Sequence, residues 1–507
     1  MHVLADDAAP GVSAPAPAAA ATATATAIDP DDLFQKNCAL CHGPDRVGRM
    51  GPALLPQSLE RLSGRELDAV LRQGRVATQM QGFAGQLSED ELNALAHWLR
   101  TAPAQTPQWT RLDMDSTHWV EHAPGTLPAK PVFKADARNL FVVVEAGDHH
   151  LSMLDGGTLE PMARFPTHFA LHGGPKFSPD GRYVYVASRD GWITKYDLWN
   201  LVQTAEIRVA LNTRNLAVSD DGRWVLAGNT LPETLVLMRA SDLEPVRVYP
   251  VTGADGKPSR VSAVYDAAPR HSFIVALKDT PAVWEIGYAR KKSAAALTPR
   301  KLALPEVLDD FYFDQRYRHI LGASRAGSAQ VIDLNSGRRI AQLDLSGMPH
   351  LGSGITWRTG DGGHVMASPN LKKAQITVID MDHWKTVAEI QTNGPGFFIR
   401  SHEQTPYAWT DAMMGPKYRD TLQIIDKRTF KVAGSVTPSP GKTAAHVEFT
   451  RDGRYALVSL MAPLSEGGAI VVYDAATWRE VKRIPMSKPV GKYNVYNKTM
   501  RSSGTSH

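Results

Sequence analysis

The sequence predicts a small all-α unit followed by an all-β, eight-bladed propeller, and three observations lead there. Both cysteines of the 507-residue chain sit in one motif, Cys38-Ala39-Leu40-Cys41-His42, among helix-forming segments. Apolar strands ending in Asp recur at Asp155, Asp197, Asp333, Asp380, Asp426 and Asp474. The hairpin phrase Phe177-Ser-Pro-Asp-Gly-Arg-Tyr-Val-Tyr-Val186 returns from Val218 to Leu226 and from Phe449 to Val458.

Composition narrows the class. At about 100–200 residues per domain, the length suits a small domain plus one large repeat fold. Lys+Arg 56 against Asp+Glu 52 gives +4, and no basic block occurs, so no nucleic-acid partner is expected. A hydrophobic content of 43% supports a true core. No apolar run approaches the ~20 residues of a membrane span.

Residues 1–27 are rich in Ala, Pro and Thr and predict a disordered segment. They lack the basic start and apolar stretch of a signal peptide. Residues 28–105 form the first predicted domain. Asp29-Pro-Asp-Asp-Leu-Phe34 reads as a helix start, and Ser88 with Glu91 as a capping box before Leu92–Leu99. Cys-x-x-Cys-His is the pattern of covalent c-type haem attachment, with Cys38 and Cys41 as thioethers and His42 as axial ligand. A redox dithiol is the alternative, but such motifs follow a strand in an α/β unit. The segment Met80 to Leu87, the helix behind it and the Gly51-Pro52 pair resemble class I c-type cytochromes. That resemblance makes Met80 the second iron ligand, and His97 a surface residue. It also places the chain in the periplasm, with a leader already removed.

A connector, 106–132, leads to the propeller, 133–507. The Asp-terminated strands are spaced by 42, 136, 47, 46 and 48 residues, and the long interval holds two degenerate copies ending near Arg239 and Ile286. Eight units of four short strands result. Asp-Gly between apolar runs supplies the hairpins.

The two parts together resemble the cytochrome cd1 nitrite reductase family over nearly all of 28–507. Three segments carry the resemblance: Phe169-Ala-Leu-His172 with the hairpin after it, Arg189 to Trp199, and Val490-Gly-Lys-Tyr493-Asn-Val-Tyr496-Asn497. The family implies a propeller that binds haem d1 non-covalently, with His172 as proximal ligand, His168 as its rival, and the closing aromatics Tyr493 and Tyr496 in the pocket. Lys176, Arg214 and Arg400 become candidates for holding the tetrapyrrole carboxylates. His350, in Met348-Pro-His350-Leu-Gly, matches one of the two distal histidines of the reductases.

Departures point within the family. The second distal histidine falls at Asp309, an expected arginine is replaced by Gly352-Ser-Gly354, and His446 stands where the reductases carry glutamine. These changes suit the branch of dihydro-haem d1 dehydrogenases, which convert a propionate side chain to acrylate in the last step of haem d1 synthesis. A relative in the same pathway without the haem c domain is excluded. In this reading the single haem c is the electron sink. His446 is the favoured proton acceptor, with His350 and Tyr493 as alternatives. His350 doubles as a second d1-iron ligand, and His149 and His150 are outlying candidates. Expected partners are dihydro-haem d1, the nitrite reductase that receives the product, and a periplasmic electron acceptor. A working nitrite reductase and a non-catalytic haem d1 carrier are the competing functions.

Overall fold

The computed structural model describes residues 28–49, 51–59, 62–75, 80–105, 107–168, 171–288, 297–324 and 328–500. The expectation for 1–27 lies outside them.

The first unit is a helical cluster. Asp29 caps the helix Pro30–Asn37 by accepting the amides of Asp31 and Asp32 at 2.9 and 3.3 Å. Ser88 and Glu91 form the reciprocal capping box of the helix Glu89–Arg100. Phe34, Leu67, Leu71, Phe83, Leu92 and Leu95 are buried between the helices. His97 is exposed.

Among the described residues the rest forms eight antiparallel sheets arranged as blades, seven with four strands and one with five. Blade 1 takes its innermost strand, Pro489–Asn494, from the end of the chain and pairs it with Leu140–Glu145. The first and last propeller segments thus close the ring in one sheet. Blades 2 to 8 run in chain order from innermost to outermost strand. Their innermost strands are Leu171–Phe177, Asn212–Val218, Val261–Ala267, Asp310–Phe313, Ile355–Arg358, Ile399–Ser401 and Ala444–Phe449. The fifth strand, Trp119–Val120, is supplied by the connector to the outer edge of blade 2.

The Asp repeat has a local cause. Each of the six residues closes the third strand of a blade. Its side chain then accepts amides at the start of the turn, as when Asp426 binds those of Arg428 and Thr429 at 2.8 Å each. Four residues after the Asp the backbone turns left-handed, at Leu159, Leu201, Gly337, Trp384, Phe430 and Trp478. The two degenerate copies close their third strands at Arg239 and Gly287.

The helical unit stands on one end of the ring. Ala53 and Leu55 pack on Leu211 and Leu231 of blade 3, and Arg208 donates to the Val47 carbonyl at 3.2 Å. The connector reinforces this corner, because the Trp109 indole donates to the Arg208 carbonyl at 2.9 Å.

Candidate haem and tetrapyrrole sites

The short helix Ala39–His42 gathers Cys38, Cys41 and His42 on one turn. Both thiols are unpaired, and burial pushes that of Cys38 up to about 11. The Nδ1–H of His42 donates to the Pro52 carbonyl at 2.8 Å. That bond fixes the tautomer and leaves Nε2 with its lone pair, the arrangement of a metal-binding imidazole. Met80 packs on the same apolar cluster as Cys38. These residues fit a covalent haem: two thiols at attachment spacing, one imidazole with a bare nitrogen and one thioether. Sequence reasoning missed Arg46. It is buried and donates to the carbonyls of Leu54, Leu99 and Thr101, tying the haem motif to the last helix.

Among the described residues, the innermost strands line two cavities of note. The residues that open the innermost strands line one of about 270 Å³, and those that close them line one of about 390 Å³. The first lies at the end where the helical unit docks, since Leu211 immediately precedes the strand Asn212–Val218 that carries Arg214.

Lys176, Arg214, Tyr265, Asp310, His350, Arg400 and Tyr493 all line this first cavity. Lys176 reaches both cavities. Its ammonium lies 5.7 Å from the Tyr265 ring and has no hydrogen-bond or ion-pair partner among the described residues. Burial lowers it to about 8. Arg214 donates to the Ser262 carbonyl at 2.8 Å. Arg400 is buried and spends one nitrogen on the carbonyls of Ser353 and Ile399, while its Nε has no hydrogen-bond partner among the described residues. The cavity therefore offers cationic groups suited to carboxylates.

His350 repeats the geometry of His42. Its Nδ1 faces the Ser353 hydroxyl at 2.6 Å and the Phe397 carbonyl at 2.9 Å; because that hydroxyl donates to the same carbonyl, Nδ1 carries the proton and Nε2 keeps its lone pair. His350 belongs to blade 6 and His172 to blade 2. In an eight-bladed ring those blades face each other across the axis. His172 lies on the strand Leu171–Phe177, level with Ala187 of the next strand. Its side chain is outside the described set.

His446 departs from expectation. It does not line the cavity but sits one layer behind, edge-on to Phe398 at 4.6 Å and Tyr493 at 4.9 Å. It is the extra residue of a β-bulge between Ala445 and Val447, and its φ is +50°. A bulge re-aims a side chain in this way. The Lys492 amide donates to Nδ1 at 3.4 Å, a long bond, and the Lys492 ammonium donates to the His446 carbonyl. Nε2 is buried without a hydrogen-bond partner among the described residues. Burial, then the cations Lys492, Arg400 and Lys498, hold His446 well below the usual histidine value, so it is neutral. Burial pushes the Tyr493 hydroxyl up to about 12.

Other expected residues fall elsewhere. Tyr496 belongs to the terminal helix Val495–Thr499, under Arg451, and lines neither cavity. Asp310, not Asp309, lines the cavity, because the strand begins at Asp310. His168 is held by Glu206 at 2.9 Å and stacks on Trp192. His149 and His150 lie at the hairpin between the second and third strands of blade 1, outside the cavity. Sequence reasoning also missed Lys498 and Glu448. Glu448 is buried and Lys498 half-buried, and both interact electrostatically with Arg400.

The profile of the Cytochrome D1 heme domain matches residues 135–498. The chain belongs to the cytochrome D1 heme domain family. Residues 25–99 match the profile of cytochrome c oxidase, cbb3-type, subunit III. A dihydro-heme d1 dehydrogenase from Pseudomonas aeruginosa is 56% identical over 476 residues, covering 94% of this chain and 95% of that one. A nitrite reductase from Stutzerimonas stutzeri is 24% identical over 521 residues, 92% of each chain. A solved structure of dihydro-heme d1 dehydrogenase NirN in complex with DHE superposes with a TM-score of 0.83 at 56% identity, over 93% of this chain and all of that one. The D1 family match thus spans the blades that line the cavity, and the helical unit lies outside it.

Proposed function

We propose that this chain is a dihydro-haem d1 dehydrogenase: it oxidises a propionate side chain of bound dihydro-haem d1 to acrylate, with release of two electrons and two protons. The observation that carries this reading is the cationic cavity beneath the haem c unit, with the bare-nitrogen imidazole of His350 in its wall. The close relative of the same activity supports it.

In this reading His172 and His350, from opposite blades, approach the iron of the substrate from its two faces. Lys176, Arg214 and Arg400 hold its carboxylates. Tyr493, on blade 1, meets the edge of the macrocycle where the side chain projects, and His446 of the adjoining blade 8 stands in contact behind it. Proton removal by His446 uses the Nδ1 lone pair and gives up the long contact to the Lys492 amide. Tyr493 keeps its proton and orients the side chain. When attached at Cys38 and Cys41 and ligated by His42 and Met80, haem c supplies one-electron acceptance. Two electrons per turnover would need a periplasmic electron carrier as the final oxidant, and a nitrite reductase would receive the product.

Nitrite reduction fits less well. Asp310, beside the expected place of a second distal proton donor, is occupied as an acceptor by the Tyr265 hydroxyl and by the amides of Phe311 and Gly352. The test is anaerobic incubation of dihydro-haem d1 with at least two equivalents of oxidised holoprotein, because each haem c accepts one electron. The expected product is lighter by two hydrogens, with reduction of haem c. Binding without mass change would indicate a carrier, and nitrite turnover with an unaltered tetrapyrrole would indicate a reductase.

A further inference from the structure

Asp411 closes the second strand of blade 7, Tyr407–Asp411, and is buried. Its two carboxylate oxygens take two consecutive amides: Phe397 N–H donates to Oδ1 and Phe398 N–H to Oδ2, each at 2.9 Å. The Met413 amide adds a bond to Oδ1 at 3.2 Å. A carboxylate shared this way grips the two successive peptide amides that flank the Cα of Phe397.

That dipeptide faces both imidazoles of the site. The Phe397 carbonyl accepts from both His350 Nδ1–H and the Ser353 hydroxyl, which itself lies 2.6 Å from that Nδ1, and the Phe397 ring meets the His350 ring at 4.2 Å. The Phe398 ring meets His446 at 4.6 Å. Both phenylalanines also line the cavity. From this geometry we infer that Asp411 is a positioning residue of the proposed dehydrogenation, setting His350 and His446 together through Phe397 and Phe398.

The inference rests on the proposed function, and the experiment separates the two. Asp411→Asn keeps the volume but leaves one acceptor oxygen, and turns an NH2 toward an amide that needs an acceptor. In the holoprotein the variant should keep haem c and bind dihydro-haem d1. The Soret band of the bound tetrapyrrole should shift, because His350 is no longer held. Conversion should fall on the order of 10²-fold, the cost of displacing catalytic groups by about 1 Å. Phe398→Leu, which leaves every Asp411 bond in place, should slow conversion without moving that band. A wild-type rate and spectrum in Asp411→Asn overturns the inference. A slowed variant with an unshifted band overturns the role toward His350. Wild-type protein that binds dihydro-haem d1 without oxidising it removes the proposed function, while the band shift still decides whether Asp411 positions His350.

Discussion

Gly51 presses on the imidazole of His42: a Cβ there would stand 2.6 Å from Cε1 and 2.8 Å from Nδ1. The ring is thereby pinned between Gly51 and the Pro52 carbonyl that fixes its tautomer. Gly51→Ala forces one to move, at an overpacking cost of about 1–3 kcal/mol. The expected result is a lower yield of covalent haem and, in the fraction that matures, a shifted midpoint potential. Wild-type haem content and potential would show that the ring has room to spare.

Met80→Ala should lower the haem c midpoint potential, because a thioether opposite histidine raises it. The weak near-infrared sulfur-to-iron band should vanish with the thioether. Redox titration and the optical spectrum together decide the assignment. If both are unchanged, another residue ligates the iron.

Lys176 makes substrate affinity depend on pH. Its pKa is lowered to about 8, chiefly by burial and partly by Arg400. Below that value the ammonium is charged and attracts a tetrapyrrole carboxylate. Above it the amine is neutral and the attraction is lost. Affinity should therefore be flat from pH 6 to 7.5 and decline above about 8. Lys176→Met should weaken binding about 10–100-fold and remove the alkaline decline, since a hydrogen bond to a charged group contributes about 1.5–3 kcal/mol. A variant that still shows the decline would place it on another group.

What was legible in the sequence follows the range of the interactions that make each feature. The blade ends were readable because Asp and its turn are local: the same side chain binds amides two and three residues on. The haem motif was readable for the same reason. Errors arose where strand parity or chain direction changed. Reading Asp309 for Asp310 missed the true start of the strand, and one residue reverses every side chain. Extending the closing strand to Tyr496 missed the helix turn that Asn494 caps at Val495. The bulge that sets His446 behind Phe398 and Tyr493 depends on pairing with Tyr455–Leu460, which no local pattern announces.

His446 tests whether that displaced imidazole does chemistry. It is neutral, 1% exposed and in contact with Tyr493 in the cavity wall. A base must accept a proton, and its conjugate acid would sit near Lys492, Arg400 and Lys498. Those cations oppose it, whereas substrate carboxylates entering the cavity oppose the cations in turn. Removing a general base typically costs ~10²–10⁴-fold in rate. His446→Ala should therefore bind dihydro-haem d1 and retain haem c, yet lose conversion by that factor. His446→Gln separates acceptance from donation. Glutamine supplies an N–H donor in place of the one on Nε2 but cannot take up a proton at neutral pH. If His446 is the base, Gln and Ala should be equally slow. In the wild type the rate should hold as pH falls through 6.5 and drop only below it, because the base is inactivated when its lowered pKa is reached. A Gln variant with near-wild-type conversion would make His446 a donor that orients the side chain, and proton removal would pass to His350.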